Sequence, residues 1–298
     1  MAFEIKLPLF YLNKSKNIFV SNLDLAENSV TERVFKLIKN KSYAYLWQCW
    51  DSTTEVEKHK IIFEKLSKYK KIDVTIMANT VEDCRVLSEI GFRAIHVHHN
   101  AFLDESLFRI IYDIPRQYNA IYITQYKPYK RIELARQINN LGIITFNNLE
   151  SPTDALYLKS LQGIGKIINP IRALYPNEVC NNINLAKFGI ILSKVEGGNY
   201  ATTEYLLCGI PVITTDNIGG RNLFLNKNNS IFVPESEFEI GNIVNNTNNL
   251  IFNREHIRDN CIAIMGEFRT TLYNDLEARF GSDWDSEYKF VNKLLEWV

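Results

Sequence analysis

Two glutamates, Glu196 and Glu204, stand with seven residues between them in the most informative stretch of this sequence. The stretch runs from Ser193 to Asn222 and reads SKVEGGNYATTEYLLCGIPVITTDNIGGRN. Carboxylates accept hydrogen bonds from hydroxyl groups, so two of them in one segment are suited to a ligand that carries several hydroxyls.

The pattern around the two glutamates predicts a Gly-Gly turn followed by a helix from about Asn199 to Cys208. Glu204 would lie on the same helix face as Tyr200, because residues four apart are neighbours on a helix surface. Gly197 and Gly198 would leave backbone amides bare at the helix N-terminus, where unpaired N–H groups and the helix dipole favour an anion such as phosphate. A ligand with both an anion and hydroxyls indicates a sugar nucleotide.

The order S-x-x-E-G-G, a second Glu, C-G-I-P-V-I and G-G resembles the donor-binding signature of retaining GT-B glycosyltransferases, the group that includes glycogen synthase. The resemblance implies that Glu196 contacts hydroxyls of the transferred sugar and that Glu204 holds the ribose hydroxyls. It also assigns further residues of this segment to the donor site: Gly197, Gly198, Asn199 and Thr203. The plain alternative is a solvated helix position for Glu204 and a helix N-terminal charge for Glu196.

Apolar runs of strand length alternate with segments of helix length, which is typical of parallel α/β architecture. The predicted strands are 17–22, 43–50, 73–79 and 94–100 in the first half, and 120–126, 142–148, 166–170, 188–193, 211–216 and 230–234 in the second. With the resemblance, the expected fold is GT-B: two Rossmann-like domains that face a central cleft, with a C-terminal helix that crosses back to the first domain.

The expected domains are a short acceptor-side domain at 1–116, a donor-binding domain at 117–270 and a helical tail at 271–298. The resemblance covers roughly residues 75–233. A Gly-rich acceptor-side loop that is common in the family is not apparent near the N-terminus, which leaves the acceptor open.

Three cations follow the predicted strand 120–126, in a loop before an expected helix: Lys127, Lys130 and Arg131. The resemblance implies an Arg and a Lys here, which neutralise the pyrophosphate leaving group with preorganised charge. Lys130 stands where the family has its Lys, and Gln125 stands where the Arg is expected. Lys127 or Arg131 would then replace the missing Arg.

Three histidines lie in the predicted strand 94–100. His96 and His98 would share one face and His99 the other, but no third ligand at close spacing completes a metal site. His98 and Asn100 are instead candidate contacts in the cleft. Asp283 and Asp285 form a D-x-D in a polar C-terminal segment and are interpreted as surface residues. We therefore predict no metal and no cofactor, with the nucleotide-sugar as a substrate.

A formal net charge of zero argues against binding nucleic acid through bulk charge. Five cysteines without a C-x-x-C pair indicate reduced thiols in a cytoplasmic protein, and no apolar run approaches the length of a membrane span. The predicted helix Lys58–Lys71 carries six lysines around Ile61, Ile62, Phe63 and Leu66, which are expected to pack inward. Its lysines could meet an anionic acceptor, a membrane surface or nucleic acid, or could be ordinary solvated charges.

These observations predict a metal-independent glycosyltransferase that moves a sugar, a hexose or a related one, from a nucleotide-sugar donor to an acceptor hydroxyl with retention. The main alternative is a non-catalytic subunit of the same fold that binds a sugar nucleotide or a glycan. Epimerase or phosphorylase chemistry is a third alternative. The nucleotide base, the sugar, the acceptor and the oligomeric state stay open.

Overall fold

The computed structural model describes residues 10–13, 16–22, 35–36, 38–146, 152–246 and 251–282. By internal contacts the chain divides into two compact units. Unit 1 comprises Met1–Phe102, Glu196–Gly198 and Met265–Val298, and unit 2 comprises Leu103–Val195 and Asn199–Ile264. The D-x-D at Asp283 and Asp285 and the rest of the expected tail after residue 282 lie outside the described residues.

Unit 1 is built on a five-stranded sheet in the order β1-β2-β3-β4-β5. The strands are β1 (Phe10–Asn13), β2 (Ile18–Asn22), β3 (Ser42–Trp47), β4 (Ile72–Ala78) and β5 (Arg93–His96). β1 pairs antiparallel with β2, and the other neighbours are parallel. The four parallel strands confirm the four strands predicted in the first half of the sequence.

Among the residues that the structure describes, helices α1 (Val56–Leu66) and α2 (Val81–Ile90) pack on this sheet. α2 begins where the Thr80 side chain accepts a hydrogen bond from the Asp83 amide, and it ends at Gly91, whose φ of 115° favours glycine. The core between helices and sheet contains Phe19, Leu46, Ile62, Ile76 and Leu87.

The basic segment differs from its prediction in two respects. α1 ends at Leu66, so the last lysines of 58–71 lie beyond the helix. Ile62 and Leu66 are buried as expected, but Ile61 is 54% exposed, because it lies about 100° around the helix from Ile62. Lys58 and Lys60 also form ion pairs with glutamates of the same helix end.

Unit 2 is built on six parallel strands in the order β11-β10-β9-β6-β7-β8. They are β6 (Tyr118–Gln125), β7 (Leu141–Phe146), β8 (Lys166–Ile167), β9 (Ala186–Ile191), β10 (Val212–Thr214) and β11 (Ser230–Phe232). All six correspond to predicted strands. This order is that of the doubly wound nucleotide-binding sheet, in which the strand order reverses between the first strand, β6, and the fourth, β9.

The helices of unit 2 are α3 (Pro152–Ser160), α4 (Pro176–Asn184), α5 (Tyr200–Leu207), α6 (Glu237–Asn246) and the first part of α7 (Arg254–Phe280). The second part of α7, from Met265, belongs to unit 1. There Asp275 pairs with Arg93, and Arg279 pairs with Asp73. None of the helices within the described ranges has the length and apolar character needed to cross a membrane.

Residues 103–117 precede β6 and belong to unit 2, whereas the predicted boundary lies at residue 116. Their backbone is tied to α4 through Asn184, which accepts from the Ile111 amide at 2.9 Å and donates to the Arg109 carbonyl at 3.0 Å. Such long-range polar contacts cannot be read from the local sequence, from which the boundary was predicted.

Candidate functional site

The two loops that follow β6 and β9 are neighbours at the carboxyl edge of the unit 2 sheet. The Lys194 amide donates to the Tyr129 carbonyl at 3.3 Å, and the Leu192 amide donates to the Tyr122 hydroxyl at 3.3 Å. That hydroxyl in turn donates to the Lys130 carbonyl. These bonds bring the predicted cation loop and residues 192–194 together at the switch point, where sheets of this kind bind their ligands.

The three predicted cations have different surroundings. Lys127 forms a largely buried ion pair with Asp154, with Nζ and Oδ2 2.8 Å apart. Arg131 donates to the Leu192 carbonyl at 2.6 Å and to the Thr215 hydroxyl at 2.7 Å, and it pairs with Glu235. Carboxylates therefore offset the charge of Lys127 and Arg131 within unit 2.

Lys130 ends a short 3₁₀ turn over Pro128–Lys130 and is buried. Its ammonium group lies 5.2 Å from the centre of the Tyr129 ring, within the range of a cation–π contact. A second 3₁₀ turn over Ile132–Ala135 follows where the sequence predicted a helix. Of the three cations, Lys130 combines burial with a position beside the β9 loop.

Arg221 is a further buried cation of this edge that the sequence did not assign to the site. Its side chain is fully buried and donates to the Ser193 carbonyl at 2.5 Å and to the Thr215 carbonyl. It thereby fixes the ends of β9 and β10 to each other. The only local signal was an Arg after the Gly-Gly of the motif, which does not distinguish a buried structural cation from an exposed one.

The predicted helix of the motif is present as α5. Asn199 caps its N-terminus by accepting from the Thr202 amide, and Thr203 is buried in its first turn. The Tyr205 hydroxyl accepts from the Ile123 amide at 2.7 Å and donates to the Ile121 carbonyl at 3.2 Å. This tyrosine ties α5 to β6, so the helix has a fixed position against the sheet.

Glu204 projects from α5 and is partly exposed. Burial, and after it the nearby Cys180, raise the pKa of Glu204 to about 7. Cys180 and Cys208 lie in contact, with their sulfur atoms 3.8 Å apart, and the bond from Cys208 lowers the pKa of Cys180. Burial thus disfavours the charged form of Glu204, and a ligand that donates hydrogen bonds to its carboxylate would favour that form.

Glu196, Gly197 and Gly198 belong to unit 1. A Cβ atom on Gly197 would lie 2.6 Å from the Trp50 carbonyl carbon and 2.8 Å from the Cys49 oxygen. A Cβ atom on Gly198 would lie 2.2 Å from Cε1 of His99. Close packing therefore requires glycine at both positions, independently of the predicted anion contact. Glu196 beside them is buried.

The histidines do not have the strand geometry that the sequence predicted. β5 ends at His96, and His99–Phe102 forms a 3₁₀ turn. The rings of His98 and His99 are adjacent, with centres 5.1 Å apart, and both approach Gly198. The prediction that His98 and His99 face opposite sides is wrong because the turn replaces the alternation of a strand. Asn100 is fully buried, and its backbone N–H donates a hydrogen bond to Nδ1 of His98 at 3.1 Å.

No group of three or more His, Cys, Asp or Glu residues with the spacing of a metal site occurs among the residues that the structure describes.

Searches against known proteins gave matches only to solved structures: no protein-family model and no curated protein matches the sequence. HepE from Anabaena, in complex with UDP and glucose, superposes with a TM-score of 0.63 at 13% identity, over 88% of this chain and 77% of HepE. Sucrose-phosphate synthase from Thermosynechococcus elongatus gives 0.63 at 14% identity, over 88% of this chain and 74% of that enzyme.

TarM from S. aureus, in a complex that includes UDP, gives a TM-score of 0.56 at 14% identity, over 96% of this chain and 56% of TarM. At these identities the likeness establishes the fold alone. The chain has the GT-B fold of two Rossmann-like units, as the sequence predicted.

Proposed function

We propose that this protein is a glycosyltransferase that moves a sugar from a nucleotide-sugar donor to an acceptor hydroxyl with retention of configuration. Its main support is the placement of Lys130 and of residues 193–195 on the two loops that flank the switch point of the unit 2 sheet. α5, which carries Glu204, follows the second of these loops. A cation on one of these loops and a carboxylate on the helix that follows the other match a ligand with a diphosphate and a ribose.

Each group has a distinct role in this proposal. Glu204 accepts hydrogen bonds from the ribose hydroxyls, and Glu196 accepts from hydroxyls of the transferred sugar. Lys130 stabilises the charge that develops on the departing diphosphate, which is worth most in a poorly hydrated site. The proposal therefore includes no metal ion and no cofactor.

Retention follows if the acceptor attacks from the face that the diphosphate leaves. The bond from the sugar to the diphosphate breaks, the acceptor oxygen bonds to the anomeric carbon, and the acceptor proton passes to a phosphate oxygen. The products are the glycosylated acceptor and a nucleoside diphosphate. Glu204 holds the ribose and takes no proton in this scheme, unlike the paired carboxylates of a glycosidase.

A thermal-shift screen of UDP-, GDP-, ADP- and CMP-sugars tests the donor. A ligand that binds only the folded protein raises its melting temperature. Sugars of one nucleotide should therefore raise the melting temperature of the wild type, and raise that of Glu204→Ala much less. The UDP complexes of HepE and TarM make UDP-sugars the first choice. Glu239→Ala, which removes an exposed glutamate of α6, is the matched control and should behave as wild type.

Release of nucleoside diphosphate distinguishes transfer from binding alone. Release that requires an acceptor supports the transferase. Donor binding with no release on any acceptor of a glycan and lipid panel would support the non-catalytic subunit instead, and no shift with any nucleotide-sugar would contradict the donor site. The lysines of the segment 58–71 are a proposed contact for an anionic acceptor, which such a panel would include; His59 of this segment is buried and is not part of that contact.

A further inference from the structure

A chain of buried polar side chains lies at the carboxyl edge of the unit 1 sheet and ends at His99. Asp83 accepts from the Ser52 amide at 2.7 Å and from Nε2 of Gln48 at 2.9 Å. Gln48 accepts from the Asn79 amide through its side chain at 3.1 Å and from Nδ2 of Asn79 through its carbonyl at 2.9 Å. Asn79 in turn accepts from the His99 amide at 3.2 Å.

This chain fixes which nitrogen of His99 carries the proton. Nδ1 lies 2.9 Å from the Gln48 carbonyl oxygen and 3.0 Å from Oδ1 of Asn79. Both oxygens can only accept, since Asn79 already donates through Nδ2, so Nδ1 must carry a hydrogen. Burial lowers the pKa of His99 to about 4. The neutral ring therefore keeps its hydrogen on Nδ1 and its lone pair on Nε2.

The Nε2 side of this ring meets the glycine segment. A Cβ atom on Gly198 would lie 2.7 Å from Nε2 and 2.2 Å from Cε1 of His99. Glu196, two residues earlier, is close enough for its charge to act on the His99 pKa. The ring thus packs directly against the three-residue segment that carries one of the two motif glutamates.

We propose that His99, held in one tautomer by Gln48 and Asn79, is a positioning residue for Glu196. The imidazole and the Trp50 backbone fix Glu196–Gly198 from two directions, and Nε2 presents a hydrogen-bond acceptor to that segment. The inference rests on the proposed function, because it takes Glu196 to be the carboxylate that binds the transferred sugar. Gln48 and Asn79 act through His99 and touch no substrate.

Two substitutions of His99 distinguish the roles of its two ring nitrogens. Asn keeps an amide near Nδ1 that can still donate to Gln48, whereas Gln places an amide near Nε2. His99→Asn should lower kcat about 10²-fold with donor KM unchanged, because a displacement of about 1 Å at a reacting group has an effect of this size. The kcat of His99→Gln should be at least tenfold higher than that of His99→Asn.

His59→Asn is the matched control. His59 is also a buried imidazole of unit 1 whose Nδ1 lies 2.9 Å from a backbone carbonyl oxygen, that of Glu55. This variant should lose stability and keep the wild-type kcat. An equal loss of kcat in His59→Asn, or a kcat within twofold of wild type in His99→Asn, would overturn the positioning role.

Nitrogen-15 NMR of the full-length protein gives a readout that needs no turnover. The spectrum at pH 7 should show His99 protonated on Nδ1 only, and the Gly198 amide resonance should move in His99→Asn but not in His59→Asn. An Nε2-protonated ring, or an unmoved Gly198 resonance, would contradict the inference. If no nucleotide-sugar binds or reacts, the proposed function fails while these two signals still decide how His99 and the segment are held.

Discussion

Replacing Glu204 with Gln should stabilise the free protein at high pH and weaken donor binding. Burial first, and the nearby Cys180 second, raise the pKa of Glu204 from 4.5 to about 7. Between these two pH values the folded protein holds a proton that the unfolded chain has released. Stability is therefore lost as pH rises from 4.5 towards 7 and stays low above it.

A shift of this size corresponds to about 3.5 kcal/mol at most, taking about 1.4 kcal/mol for each pKa unit. Glu204 keeps part of its surface exposed, and solvent screening reduces the effect to about 1–2 kcal/mol. Gln has nearly the same shape and no charge. The unfolding free energy of Glu204→Gln relative to wild type should therefore increase by about 1–2 kcal/mol between pH 5 and pH 8.

Urea unfolding of both proteins at pH 5, 6.5 and 8 measures this difference, and Glu239→Gln controls for the loss of one exposed charge. Calorimetric titration at pH 8 with the donor found by thermal shift measures binding. A hydrogen bond to a charged group contributes about 1.5–3 kcal/mol, so Kd should rise about tenfold or more in Glu204→Gln. Parallel stability curves for the two proteins would refute the raised pKa, and an unchanged Kd would refute the ribose contact.

Two further variants test the other end of the motif and the support of α5. Glu196→Gln should lower kcat about 10²-fold and leave donor Kd within threefold of wild type; normal turnover would remove Glu196 from the reaction. Gly189→Ala would put a methyl group 2.2 Å from the Tyr205 ring, whose hydroxyl is bonded to β6, and should lower the unfolding free energy in urea by about 2 kcal/mol. Gly266→Ala in α7, where an added Cβ atom would have no atom within 4 Å apart from its chain neighbours and the backbone of its own helix, should instead raise it by about 0.5–1 kcal/mol; similar stabilities for the two variants would show that Tyr205 can move aside.

The strands were predictable because both faces of a parallel sheet are buried, so each strand appears as a short apolar run. FGIILS and PVITTD are such runs, and they became β9 and β10 with ends shifted by one or two residues. β1, with the sequence FYLN, was missed. It is a four-residue antiparallel edge strand, and its apolar residues fit equally well with an irregular N-terminus.

Side-chain directions near element ends were less predictable. The apolar-rich sequence AIHVHHN continues past the last residue of β5, and no Gly or Pro marks the place where the strand ends. A 3₁₀ turn begins at His99, whose backbone amide donates a hydrogen bond to the side chain of Asn79. The partner of that bond is twenty residues away in the sequence, so local periodicity could not reveal it.

Buried polar residues with distant partners were missed for the same reason. Arg221, Gln48 and Asn79 are types that usually lie on the surface, and composition around them gives no sign of burial. Arg221 has its acceptors at the ends of β9 and β10, and Gln48 has its acceptors and donors on β4 and α2. Such residues become recognisable only when the sheet brings the strand ends together.

The packing of Gly197 and Gly198 weakens them as evidence for an anion site. From the sequence, Gly197 and Gly198 favoured an anion site because they leave amides bare. The structure gives a sufficient reason without any ligand, since a side chain on Gly197 would collide with the backbone at Trp50, which cannot move aside as a side chain can. The nucleotide-sugar proposal therefore rests on Glu204, whose pKa is raised by burial, and on the position of Lys130 beside the β9 loop.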